Sequence, residues 1–281
     1  MGEVVSDPVH LTGGVVLRRT PKWLKERELD FLSGLSREKI RGSSLSLSID
    51  YEGEGLGEHQ KRAEQTILLA NLALWLAKPA PTGIEARLHF ELPTNSGSTP
   101  LSATWGSKLV HHDQDKAGQL TAADLELAAD LQRAVAQLPR DSLLWTATRV
   151  LWRALCDDWW QSRYLFLWIA MEALFGPKNG KMISRKLSKR SSSFLCADSA
   201  RAEKLRETVR TGYMWRSRTV HGHDLDGLDP EESGRISHEV EGFLRESMVK
   251  ILTEVGLTGV FNGDGRDDHL DSLAHQRFGT S

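Results

Sequence analysis

The chain has 281 residues and 40% hydrophobic content, enough for one large core or two modest ones. Its 36 basic and 38 acidic residues leave overall charge silent on a nucleic-acid partner, so local clustering must carry any such argument. Two cysteines, Cys156 and Cys196, are too few for a disulfide framework or a four-thiolate zinc site. With no charged-then-apolar leader, a cytoplasmic location is the expectation.

Residues 1–120 read as a mixed α/β domain. Gly14 to Leu17 is a weak strand candidate, and Leu45 to Ile49 alternates apolar and polar positions as a half-buried strand does. A helix follows from about Glu58 to Ala77, with Ala63, Ile67, Ala70 and Leu74 on one stripe, until the proline-rich Lys78 to Gly83 stops it. Ile84 to Leu92 alternates again and is the clearest strand. Pro93 to Pro100 reads as a loop and Lys108 to Val110 as a weak strand.

From Thr121 the periodicity becomes helical, which places a domain boundary there and an all-helical bundle over 121–256, for an α+β chain as a whole. Thr121 with Asp124 suits a capping arrangement opening a helix to about Leu138, and a second helix runs from Ser142 to Cys156. The third, Trp159 to Phe175, is apolar nearly all round, as befits the centre of a bundle, and Glu172 is its one expected interior charge. Its apolar stretch is about half the roughly 20 residues a membrane-spanning helix needs, so no membrane partner is expected.

A polar stretch from Lys178 to Ala197 leads to a fourth helix, capped by Asp198 or Ser199 and ending at Gly222. Asp229-Pro230 opens a fifth, with Glu231 and Glu232 in its first turn, which ends near Gly256. The tail, 257–281, alternates short apolar clusters with glycines and aspartates and is expected to pack loosely or be partly disordered. The tryptophans of the second and third helices are expected to fill a core or a dimer seam.

On the fourth helix Leu205, Val209, Gly212, Arg216 and Val220 follow the spacing of a buried stripe. A guanidinium buried there without a partner would be costly, and so would the Glu172 carboxylate, so an ion pair between them would relieve both. His221 sits in the last turn, with Tyr213, Ser217 and His221 at four-residue spacing on one face. An acid/base group beside a fixed cation suits phosphodiester chemistry, although an arginine and histidine at this spacing also arise by chance or as a helix end cap.

The run Tyr213-Met214-Trp215-Arg216-Ser217-Arg218-Thr219-Val220-His221-Gly222 resembles the signature of the ApeA-like HEPN domains. Leu167 to Phe175, with Glu172 embedded, is similar to the apolar helix that precedes that signature. The resemblance covers about Thr121 to Val255 and implies a helical bundle that forms a homodimer with two motifs facing across a cleft. It further implies a metal-independent endoribonuclease needing no cofactor, with RNA as substrate and a toxin or antiviral defence role. In that role residues 1–120 would act as a sensor or guiding module, with room for a regulatory protein partner. Arg216 would bind the scissile phosphate, His221 would assist proton transfer, and Ser217 would add a polar contact. Tyr213 and Glu172 would support them, while Arg218 and His223 repeat the Arg and His spacing two residues on.

Six cations, Lys178, Lys181, Arg185, Lys186, Lys189 and Arg190, fall between Gly176 and Ala197 without a carboxylate. They are candidates for tracking RNA phosphates, against the equal alternative of a solvated loop. His111-His112-Asp113 is a plausible but isolated metal-ligand cluster, and Asp264, Asp267 and Asp268 do not match a calcium-loop spacing, so both read as surface loops. The alternative to catalysis is a HEPN dimerisation or RNA-binding scaffold.

Overall fold

The computed structural model describes residues 8–26, 38, 42, 45–51, 57–79, 86–90, 100–105, 120–157, 159–221 and 230–279. The chain divides into two compact units, Met1–Ala136 and Gln137–Ser281. It is mostly helical with a small antiparallel sheet near the N-terminus, an α+β arrangement. No helix among the described residues is long and apolar enough to cross a membrane.

In the first unit, strands β1 (Val9–His10), β2 (Val16–Arg19) and β3 (Leu45–Ser48) form an antiparallel sheet in that order. Leu17 stands opposite Val9 on one side and Leu47 on the other. The turn between β1 and β2 is possible because Gly13 and Gly14 both take positive φ, a conformation glycine enters without steric cost. After the short α1 (Lys22–Glu26) comes α2 (Glu58–Ala77), and β4 (Ala86–Phe90) pairs antiparallel with β5 (Pro100–Trp105) across an irregularity at His89/Phe90. β5 begins on the proline that closes the expected loop, a placement open to proline at the start of a strand. The strand expected over 108–110 and His111-His112-Asp113 lie outside the described residues.

Helix α3 (Ala122–Ala136) opens on the expected capping box: the Thr121 backbone N–H donates to Asp124 at 2.7 Å and the Asp124 N–H to Thr121 Oγ1 at 3.2 Å. It does not begin the helical bundle, however, and the division falls after Ala136 rather than before Thr121. The reason is packing. α3 lies along α2, burying Leu125, Ala128, Leu131 and Val135 in a core shared with Ala70, Leu74 and Trp75. The buried Gln132 amide accepts from the Thr12 N–H at 2.8 Å and donates to the Thr12 carbonyl at 2.9 Å, pinning α3 to the β1–β2 turn.

The second unit comprises α4 (Leu143–Leu155), α5 (Trp160–Phe175), α6 (Ile183–Leu195), α7 (Ser199–Val220), α8 (Pro230–Thr253), α9 (Leu257–Asn262) and α10 (Arg266–Phe278). α5 is central, packing against α4, α6, α7 and α8. Phe175, Phe194, Phe243 and Phe261 meet edge to face or tilted and join α5, α6, α8 and α9, a favourable geometry for aromatic quadrupoles. α5 carries a second interior charge that the sequence reading passed over. Arg163 is buried and paired with the equally buried Glu241 of α8, so each charge compensates the other.

The tail expected to be loose is instead part of the core. Arg266, 2% exposed, donates to the carbonyls of Ala173 and Gly176, both at 2.7 Å. Arg190 of α6, fully buried, donates to the Phe175 carbonyl at 3.3 Å. Together they satisfy the carbonyls of Ala173, Phe175 and Gly176 at the end of α5, where the helix itself supplies no donor. Asp267 and Asp271 balance the two arginines, with Arg190 lying 3.3 and 2.6 Å from them respectively.

Candidate active site

α7 starts where the sequence indicates: the Asp198 carboxylate accepts the Arg201 N–H at 2.7 Å as its N-cap. Its middle approaches α5 closely because residue 212 is glycine. A Cβ there would stand 2.3 Å from Trp168 Cζ2 and 2.8 Å from Ile236 Cγ2, while the Tyr164 hydroxyl donates to the Gly212 carbonyl at 2.7 Å. One turn on, Arg216 Nη2 lies 3.0 Å from Glu172 Oε1, with the two side chains 21% and 25% exposed. Among the described residues neither Arg216 Nε nor Glu172 Oε1 has a hydrogen bond. The contact is thus a Coulombic ion pair, with Arg216 Nε and Glu172 Oε1 both buried.

Tyr213 completes the cluster. Its ring packs edge-on to Trp168 at 5.9 Å and stands 5.5 Å from the Arg216 guanidinium carbon. Burial raises its phenol pKa, the Glu172 carboxylate adds to the rise, and Arg216 offsets part of it. The phenol therefore stays protonated at neutral pH. Ser217 is half-buried and its carbonyl accepts the His221 N–H at 3.2 Å. His221 is the C-cap of α7 and is exposed.

Burial along α7 follows Ala202, Thr208, Val209, Gly212 and Trp215. The stripe expected to reach Val220 stops short: Val220 is exposed, because the last turn runs past the buried face. Arg218 lies over the Trp215 ring at 4.9 Å on the exposed side of α7, and it is Arg216 that meets α5. Gly222 and His223 lie outside the described residues.

The basic stretch is not the loop the sequence suggested, for residues 183–195 form α6. Three of its six cations serve the tail: Arg190 as described, Lys178 with Asp264 at 2.8 Å, and Lys186 with Asp271 at 3.1 Å. Arg190 is inaccessible to RNA, which removes it from the proposed phosphate set. Asp264, Asp267 and Asp271 of the tail have cations as partners, and among the described residues no group of three His, Cys, Asp or Glu could hold a metal ion. Lys181 and Arg185 are exposed and Lys189 is half-buried. The tryptophans divide, with Trp145 and Trp168 in the core and Trp159 and Trp160 exposed. No family model, curated protein or solved structure matches the chain.

Proposed function

We propose that the second unit is a HEPN-type domain and the protein a metal-independent endoribonuclease acting through Arg216 and His221. The observation that carries this reading is the Arg216–Glu172 pair at 3.0 Å, on the helix whose last turns hold Ser217 and His221. Glu172 would orient the guanidinium, whose remaining donors would bind a non-bridging oxygen of the scissile phosphate and stabilise its developing charge. The neighbouring ribose 2′-oxygen would attack phosphorus and lose its proton as the P–O5′ bond breaks. His221 would assist the proton's passage to the leaving 5′-oxygen. The products are a 2′,3′-cyclic phosphate and a 5′-hydroxyl. Exposed Met214 and Val220 on α7 offer apolar contacts to a second copy, which would set two motifs across one cleft. The toxin or defence role rests on the family resemblance.

A second reading has one observation in its favour: Glu172 already offsets the Arg216 charge, as suits a domain that dimerises or holds RNA without cutting it. Labelled RNA incubated in chelator with the wild type, Arg216→Ala and His221→Ala separates the two. Catalysis predicts cyclic-phosphate ends from the wild type, losses of about 10²-fold or more in each variant, and no cleavage of 2′-O-methyl RNA. Wild-type inactivity, or equal activity in both variants, leaves the scaffold.

A further inference from the structure

Beside the tail network, α6, α7 and the end of α10 enclose an open groove of roughly 860 Å³. Arg185 and Lys189 line it from α6, Arg206 and Arg210 from α7, and Phe278 from α10. Among the described residues that line it there is no carboxylate. The cations are close enough to feel one another: burial, then the charges of Arg185 and Arg206, lower the Lys189 pKa. Arg206 and Arg210 pair with Glu203 and Glu207 one turn back on the exposed helix surface, contacts weak enough to exchange for a phosphate. The Arg206 guanidinium carbon lies 5.3 Å from the Phe278 ring centroid, which puts an aromatic face inside a cationic channel.

The groove opens onto the helix that carries the candidate site. At 100° per residue, Arg206, Arg210, Tyr213, Ser217 and His221 fall within an arc of about 80° on α7, and they span about 22 Å of helix axis. We infer that this groove binds the sugar-phosphate backbone of single-stranded RNA, with a base against Phe278. It would lead the strand along that face of α7 to His221, with Arg216 about 60° round the helix from Tyr213 on the flank that meets α5. Cations tracking the backbone beside an aromatic platform are how sequence-tolerant single-strand sites are built. The inference rests on the proposed function for where the strand leads, but not for whether the groove holds it. It also replaces the phosphate set read from the sequence: Arg185 and Lys189 remain, Lys178, Lys181, Lys186 and Arg190 leave it, and Arg206 and Arg210 enter.

The test is fluorescence anisotropy of the full chain with a labelled, uncleavable 2′-O-methyl oligouridine over a salt series. Arg185→Gln with Lys189→Gln should weaken binding by about tenfold or more and lower the salt slope by about 1.4, at roughly 0.7 per lost phosphate contact. Phe278→Ala should weaken binding with little change in slope, since stacking releases no counterions. Lys61→Gln with Arg62→Gln, the same loss of two charges on the exposed surface of α2, should leave both unchanged. If the Arg185/Lys189 variant binds with wild-type affinity and slope, the groove inference falls, whatever the cleavage assay gives. If binding depends on the groove but the wild type cuts no RNA, the groove stands and the proposed function falls.

Discussion

Arg216 and Glu172 lie forty-four residues apart in sequence and 3.0 Å apart in space, each on a helix whose neighbouring turns are buried. Their pairing fixes one edge of a guanidinium one turn from the end of α7. Glu172→Ala and Arg216→Ala should each destabilise the fold by about 1–2 kcal/mol, with a coupling of about 0.5–1 kcal/mol for a pair partly open to solvent. Urea unfolding of the single and double variants measures this, and strictly additive effects would show that the pair does not hold the guanidinium.

Gly212→Ala tests the approach of α7 to α5. The added methyl would overlap Trp168 Cζ2 and Ile236 Cγ2, both in the core, so the helices must separate. A loss of about 1–3 kcal/mol is expected from such overpacking, together with a fall in RNA cleavage as Arg216 moves from Glu172. Wild-type stability and activity in this variant would mean that the spacing is not critical.

Acid should unfasten the tail. Burial opposes ionisation of Asp267, but the Lys178 backbone N–H and the Arg266 and Arg190 guanidiniums outweigh it and lower its pKa from 3.8 to about 2. Asp271 is lowered too, chiefly by its hydrogen bond from Arg190, against the effect of burial. A carboxylate depressed on folding stabilises the native state above its unfolded pKa and loses that contribution as pH falls through the folded one. For Asp267 the window is pH 4 to 2, and the amount is on the order of 1–2 kcal/mol after solvent screening. Thermal melts of Asp267→Asn should show a shallower decline there than the wild type. Parallel declines would remove this linkage.

Arg266→Ala strips two terminal carbonyls of α5 of their donor and leaves Asp267 with one fewer cation. A loss of about 2–4 kcal/mol is expected, read as a lowered melting temperature by circular dichroism. Deleting residues 257–281 should be worse, since Phe261 leaves the aromatic cluster as well. An unchanged melting temperature in either variant would restore the loose tail that composition suggested.

Local signals in the chain marked the elements well where they were strong. Thr121 with Asp124, Ser142, and Asp198 each accept a backbone N–H at a helix start, and the alternation at 86–90 became β4. The Arg216–Glu172 pair was also legible, because each charge interrupts an apolar stripe and an isolated buried charge demands a partner. The Arg163–Glu241 pair was missed although the same rule applies, since Arg163 stands near the start of α5, where a charge passes for solvated.

Capping and hydrophobic period act over a few residues, so the chain alone marks α2, α3, α4, α5, α7 and α8 as helices and puts a cation and a histidine near the end of α7, but it does not mark α6, α9 or α10. Tertiary structure alone decided what those segments meet. α3 reads as the first helix of the bundle but belongs to the sheet, since its apolar face fits α2 and Gln132 reaches Thr12. The six-cation run reads as one patch but is divided by helix geometry: Arg190 turns inward to the end of α5, while Arg185 and Lys189 face the groove with Arg206 and Arg210. Periodicity tells that a helix has a buried face. Which surface buries it depends on shape and charge brought together from distant parts of the chain.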